Sequence, residues 1–128
     1  MVKPDPEKLV IDWICEQDEN NLYLSVLTMG EIQKGISKLP QSHKQKELHN
    51  WLQVDLRDRF NGRILAIDDQ VAIAWGTIQA TAECNGRPIP SIDGLIAATG
   101  ITHNMTIATR NIHDMAPSGA TLFNPWEK

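Results

Sequence analysis

The sequence predicts an α/β domain, a mainly parallel sheet with helices on both faces. Two observations carry that expectation. Short apolar runs recur at residues 22–26, 63–67, 105–108 and 121–123, and segments with apolar residues at three- and four-residue steps lie between them. Strands that alternate with helices pair in parallel, because each crossover helix returns the chain to the end of the sheet where the preceding strand began. A chain of 128 residues, 41% hydrophobic and 22% charged, suits one globular domain with a single core.

Taken in order, Asp5 followed by Pro6 reads as an N-cap with proline at the first helical position, and Leu9, Val10, Trp13 and Ile14 supply an apolar face. Asn20-Asn21 is a turn into the strand at 22–26. A helix then starts at Thr28, with Met29, Ile32, Ile36 and Leu39 inward, until Pro40 stops it. A longer helix runs from Ser42 to Phe60 on Leu48, Trp51, Leu52, Leu56 and Phe60; its charged residues form a solvated face. Asn61-Gly62 turns into the strand at 63–67. Asp68 and Asp69 open the next helix as caps, with Val71, Ala74, Trp75, Ile78 and Ala82 inward. The loop 85–88 leads to a helix at 91–99, read with Ser91 as its N-cap, and small residues Gly94, Ala97 and Ala98 let it lie close to a neighbour. His103-Asn104, the strand at 105–108, a loop or short helical turn at 109–116 and a last strand at 121–123 follow.

No apolar run approaches the roughly 20 residues a membrane helix needs, and the N-terminus lacks a signal-peptide core, so a cytoplasmic protein is expected. Cys15 and Cys84 show no zinc spacing and read as free, partly buried thiols. A net charge of −4 argues against general charge-driven nucleic-acid binding, yet leaves room for an enzyme that holds RNA through metal ions and a few local cations.

Ligands of parallel sheets bind beyond the carboxyl ends of the strands. Glu31 follows the first strand, Asp93 opens a later helix, and Asp114 follows the strand at 105–108, so all three are candidates for one rim. Carboxylates gathered without a His/Cys pattern suit a hard cation such as Mg²⁺ or Mn²⁺. Each acid also has a structural explanation. Asp93 complements a helix dipole; Thr28 with Glu31 fits a capping box; Asp114 and Asn111 fit a loop or turn.

Taken together, residues 22–36, 60–65, 91–99 (Ser-Ile-Asp-Gly-Leu-Ile-Ala-Ala-Thr), 106–111 (Thr-Ile-Ala-Thr-Arg-Asn) and 123–126 (Phe-Asn-Pro-Trp) are similar to the PIN-domain family. Within it the chain resembles VapC-type toxin ribonucleases of type II toxin–antitoxin modules. The resemblance spans essentially the whole chain. It implies a three-layer α/β/α fold, Mg²⁺- or Mn²⁺-dependent endonucleolytic cleavage of RNA, an antitoxin partner that blocks the site, and a homodimer. By position Glu31, Asp93 and Asp114 match metal-site acids. Asn111 and Thr109 match supporting polar positions, and Arg110 matches a place from which a substrate phosphate can be met, or where an arginine merely orders the loop. His113 matches no motif position and reads as an exposed loop residue.

One departure stands out. Family members begin with an apolar strand ending in a metal-binding Asp, whereas residues 1–6 here align with the start of the first helix. The chain is therefore expected to be an N-terminally truncated single PIN-like domain, a fragment from a late start assignment, or else a shortened, degenerate toxin. The competing functional readings are an inactive PIN-like module that only binds an antitoxin, and an unrelated doubly wound domain such as a phospho-acceptor receiver. The lack of a Gly-rich phosphate loop and of a first-strand acid pair counts against the receiver.

Overall fold

The computed structural model describes residues 21–125. The helix expected at 5–18, Cys15 and the expectation of a missing first strand lie outside those residues. The described residues divide into two compact units, one formed by Leu22–Ala66 and the other by residues from Ile67 onward.

In the unit Leu22–Ala66, β1 (Leu24–Ser25) pairs in parallel with β2 (Ile64–Leu65), Leu24 opposite Ile64. Between them lie α1 (Val26–Ser37), α2 (His43–Asn50), a π-type turn (Trp51–Leu56) and the short α3 (Arg57–Arg59). The core is Met29, Ile36, Leu52, Leu56 and Phe60, with Leu22, Leu24, Ile32, Leu48 and Ile64 packed around it.

The expected helix from Ser42 to Phe60 is present, and Ser42 does cap it, accepting from Gln45 N at 3.2 Å. Its middle is not regular α-helix. Leu48, Leu52, Leu56 and Phe60 recur every four residues, which in an α-helix drifts by about 40° per step. The wider i→i+5 turn reduces that drift and keeps all four on the core side. Trp51, expected inward, is 39% exposed as a result. Leu39 is also exposed, because α1 ends at Ser37. Arg63 fastens the return of the chain: Nη1 donates to Leu22 O at 2.9 Å, Nη2 donates to Arg59 O, and the guanidinium lies 4.9 Å from the Phe60 ring centroid.

The other unit contains α4 (Asp69–Cys84), α5 (Ser91–Thr102), β3 (Ile107–Ala108), α6 (Ile112–Met115), a 3₁₀ turn (Ala116–Ser118) and β4 (Leu122–Phe123). β3 and β4 are parallel, Ile107 opposite Leu122. Ala97, Ile107 and Met115 form its central cluster, and Val71 and Ala98 are fully buried. Asp68 caps α4 as expected, its Oδ1 accepting from Val71 N at 2.9 Å. Cys84 is exposed at the last residue of α4, not partly buried. The parallel strands and flanking helices agree with the α/β class, though each described strand is two residues long rather than three to five.

Candidate metal centre

Asp93 is held in place by the packing of α5. The N-cap is Pro90, and Ser91, expected as the cap, is the first helical residue; no side chain caps this end. Asp93 therefore stands in a first turn whose free N–H groups and dipole favour a carboxylate. The small residues behind it make the close approach that their sequence pattern implies. A Cβ on Gly94 would come within 2.6 Å of Gln79 Oε1 and 3.1 Å of Trp75 Nε1, both on α4. A Cβ on Gly100 would come within 2.6 Å of Ile107 Cγ1 on β3. Gln79 Nε2 also donates to Ile89 O at 3.0 Å, tying the loop before α5 to α4. Trp75 Nε1 and Gln79 Oε1 are buried without hydrogen-bond partners, at a cost of about 1–3 kcal/mol each.

The other half of the site comes from the chain leaving β3. Thr109 is buried, and its N–H donates to Phe123 O at 2.9 Å, extending the β3–β4 ladder. Its Oγ1 accepts from Asn111 N at 3.0 Å, a hydroxyl turn that swings the chain into α6. Asn111 occupies the N-cap position of α6, yet its side chain makes no capping bond. It lies instead near enough to Asp93 to lower that carboxyl's pKa. Asp114 is in the first turn of α6 and exposed, one residue before the buried Met115 that anchors this short helix in the core.

These positions leave a clear electrostatic mark. The Asp93 carboxyl is held above its ordinary value by burial first and by the negative charge of Asp114 second, against the Asn111 side chain, which lowers it. Two carboxylates and an amide oxygen are hard donors, and Mg²⁺ is commonly bound through one or two carboxylates together with water and substrate oxygens. The carboxylates of Asp93 and Asp114 fit such an ion, with the Asn111 amide as a supporting group beside them. Among the described residues, no group of three or more His, Cys, Asp or Glu is gathered closely enough to hold a metal.

Glu31 belongs to the unit Leu22–Ala66, where it is exposed on α1. The expected capping box does not form. α1 starts at Val26, and Ser25 is the cap, its Oγ accepting from Leu27 N at 3.1 Å. Thr28 is thus inside the helix, and the structural role first available to Glu31 is gone. Arg110 lies in the exposed bend between Thr109 and Asn111, and His113 is exposed on α6.

Residues 1–113 match the PIN domain. The chain belongs to the PIN-domain family. Among curated relatives, this PIN-domain chain is 34% identical to the toxin FitB of Neisseria gonorrhoeae over 125 residues, covering 98% of this chain and 90% of FitB. It is 31% identical to the VapC ribonuclease Y4jK of Sinorhizobium fredii, covering 98% and 89% of the two chains. The solved FitAcB from Neisseria gonorrhoeae superposes with a TM-score of 0.91 at 33% identity, over 98% of this chain and 91% of that one. Of the acids singled out in sequence, Asp93 and Asp114 are electrostatic neighbours, and Glu31 stands on α1 of the unit Leu22–Ala66. Trp75 was readable as an inward residue of α4, whereas Gln79 was missed; the small residue at Gly94 was the signal for the close approach that both make.

Proposed function

We propose that this PIN-domain protein is a metal-dependent endoribonuclease and the toxin of a toxin–antitoxin pair. The reading rests most on one observation, the Asp93 carboxyl beside the charge of Asp114 and the side chain of Asn111, in a chain whose relatives include a VapC ribonuclease and the toxin FitB. Asp93 and Asp114 are the proposed ligands of a divalent cation, Mg²⁺ or Mn²⁺, with Glu31 as the proposed third acid and Asn111 as support. When bound, such an ion supplies Lewis-acid polarisation of a phosphodiester and offsets charge built up in the transition state.

The chain's own residues do the remainder. Asn111 orients the Asp93 carboxylate and favours its ionised form, which is the form that binds a cation. Thr109 fixes the turn that carries Asn111. Arg110 is the proposed contact for a substrate phosphate, for which the guanidinium fork is suited. RNA as substrate, an antitoxin that covers the site, a homodimer and a cytoplasmic location are parts of the same proposal. Among the described residues no helix is long and apolar enough to cross a membrane.

A second reading is a module that binds its partner without cleaving RNA. The absence of a three-acid group among the described residues favours it. Incubation of the protein with end-labelled RNA, with Mg²⁺ and with chelator, separates the two. The nuclease reading expects endonucleolytic products that chelator and Asp93→Asn both abolish; intact RNA at every protein concentration supports the binding module.

A further inference from the structure

We propose that the cleft between α1 and α2 binds a single-stranded segment of RNA, through residues other than the acidic pair. The proposal rests on RNA being the substrate and adds where the strand is gripped. The cleft has a volume of about 490 Å³ and lies wholly within the unit Leu22–Ala66. Its wall carries three glutamines, an asparagine, a histidine and a lysine, and no acidic residue.

Two of those glutamines build the wall. Gln45 Nε2 donates to Ile36 O and to Leu39 O, both at 3.0 Å, closing the C-terminal end of α1 onto α2. Gln33 Nε2 donates to Ser37 Oγ at 2.9 Å. Lys46, His49, Asn50 and Gln53 then line the opening as exposed side chains. An apolar partner helix laid there would bury these polar groups without partners, which is costly. A nucleic-acid strand uses them: a lysine meets a phosphate, and amides pair with the edges of unstacked bases.

Charge points the same way. Between Ile32 and Val54 there are four lysines (Lys34, Lys38, Lys44, Lys46) and one acid, Glu47, in a chain whose net charge is −4. Glu31 and Asp55 lie just outside that stretch. Glu47 does not line the cleft; its Oε1 is 2.8 Å from His43 Nε2.

The test is fluorescence anisotropy of a 5′-fluorescein 12-nucleotide single-stranded RNA with the full chain, in EDTA so that binding is read without cleavage. The proposal expects Lys46→Ala with Gln53→Ala to weaken binding at least about thirtyfold, the low end for one charged and one neutral hydrogen bond. The salt slope should fall by about 0.7, as for one lost phosphate contact. Lys46→Arg should restore the slope, and melting temperature should not move. Unchanged affinity and slope in the double variant overturns the proposal. So does equal weakening towards a poly-glutamate peptide, which assigns the cleft to an acidic protein partner. Cleavage in Mg²⁺ is scored separately: RNA held through Lys46 but never cut leaves the cleft standing and removes the nuclease reading. Cleavage with binding indifferent to Lys46 does the reverse.

Discussion

Asp114 lies near enough to Asp93 that, after burial, its charge is the next reason the Asp93 carboxyl keeps its proton more tightly than an ordinary aspartate. Asn111 opposes both. Three residues from two elements thus share one electrostatic balance, and each can be removed separately. In metal-free buffer, the Asp93 carboxyl carbon followed by NMR titration should move to a lower midpoint in Asp114→Asn and to a higher one in Asn111→Ala. No movement in either variant would mean that the groups are not neighbours in solution.

The same balance sets a pH dependence of stability. Asp93 has a raised value in the folded chain, so its favourable contribution is complete below the unfolded value near 3.8. It is lost as pH rises through the folded value. At neutral pH without metal the charged Asp93 is therefore a small liability. Asp93→Asn should melt slightly higher than the parent at pH 7 in EDTA, and the difference should vanish as pH falls below about 3.8. A lower melting temperature at pH 7 would instead identify Asp93 as a dipole-complementing residue that the fold needs.

Gly100 tests the packing that positions α5. Alanine there gains about 1 kcal/mol of helix propensity. Its Cβ, however, would press on Ile107 Cγ1 at 2.6 Å and Cδ1 at 2.7 Å, and overpacking a tight core costs about 1–3 kcal/mol. The clash should win. Gly100→Ala should lower the melting temperature by several degrees, as read by circular dichroism.

Two serine/threonine positions compete for the start of α1. Ser25→Ala removes the observed cap and should cost about 1 kcal/mol. Thr28→Ala changes a residue inside the helix and should stay within about 0.5 kcal/mol. Urea denaturation of both variants measures the difference, and the opposite ranking would restore the capping box.

How much of this was legible in sequence depends on the range of the forces involved. Asp68 was readable as a cap because its bond to Val71 N is local. The closeness of α5 to its neighbours was readable from Gly94, Ala97 and Ala98, since only small side chains permit it. The start of α1 was not, because Ser25 and Thr28 are both sound caps and only the pairing of Leu24 with Ile64 decides where the strand ends. The widened turn at Trp51–Leu56 escaped periodicity analysis, as the four-residue steps of Leu48, Leu52, Leu56 and Phe60 look helical until their drift is counted. Of the candidate site, the residue types at Asp93, Asp114 and Asn111 were legible. Their convergence needed the turn that Thr109 makes through Asn111 N.

The central claim is that Asp93 and Asp114 together hold one divalent cation. Titrating the metal-free protein with Mn²⁺, read by electron paramagnetic resonance of the free ion, tests it most directly. The account predicts a site that Asp93→Asn and Asp114→Asn each weaken at least about tenfold, with Asn111→Ala weakening it less, as expected of a supporting group beside the ligands. Mn²⁺ bound equally well by the parent and both aspartate variants would contradict it.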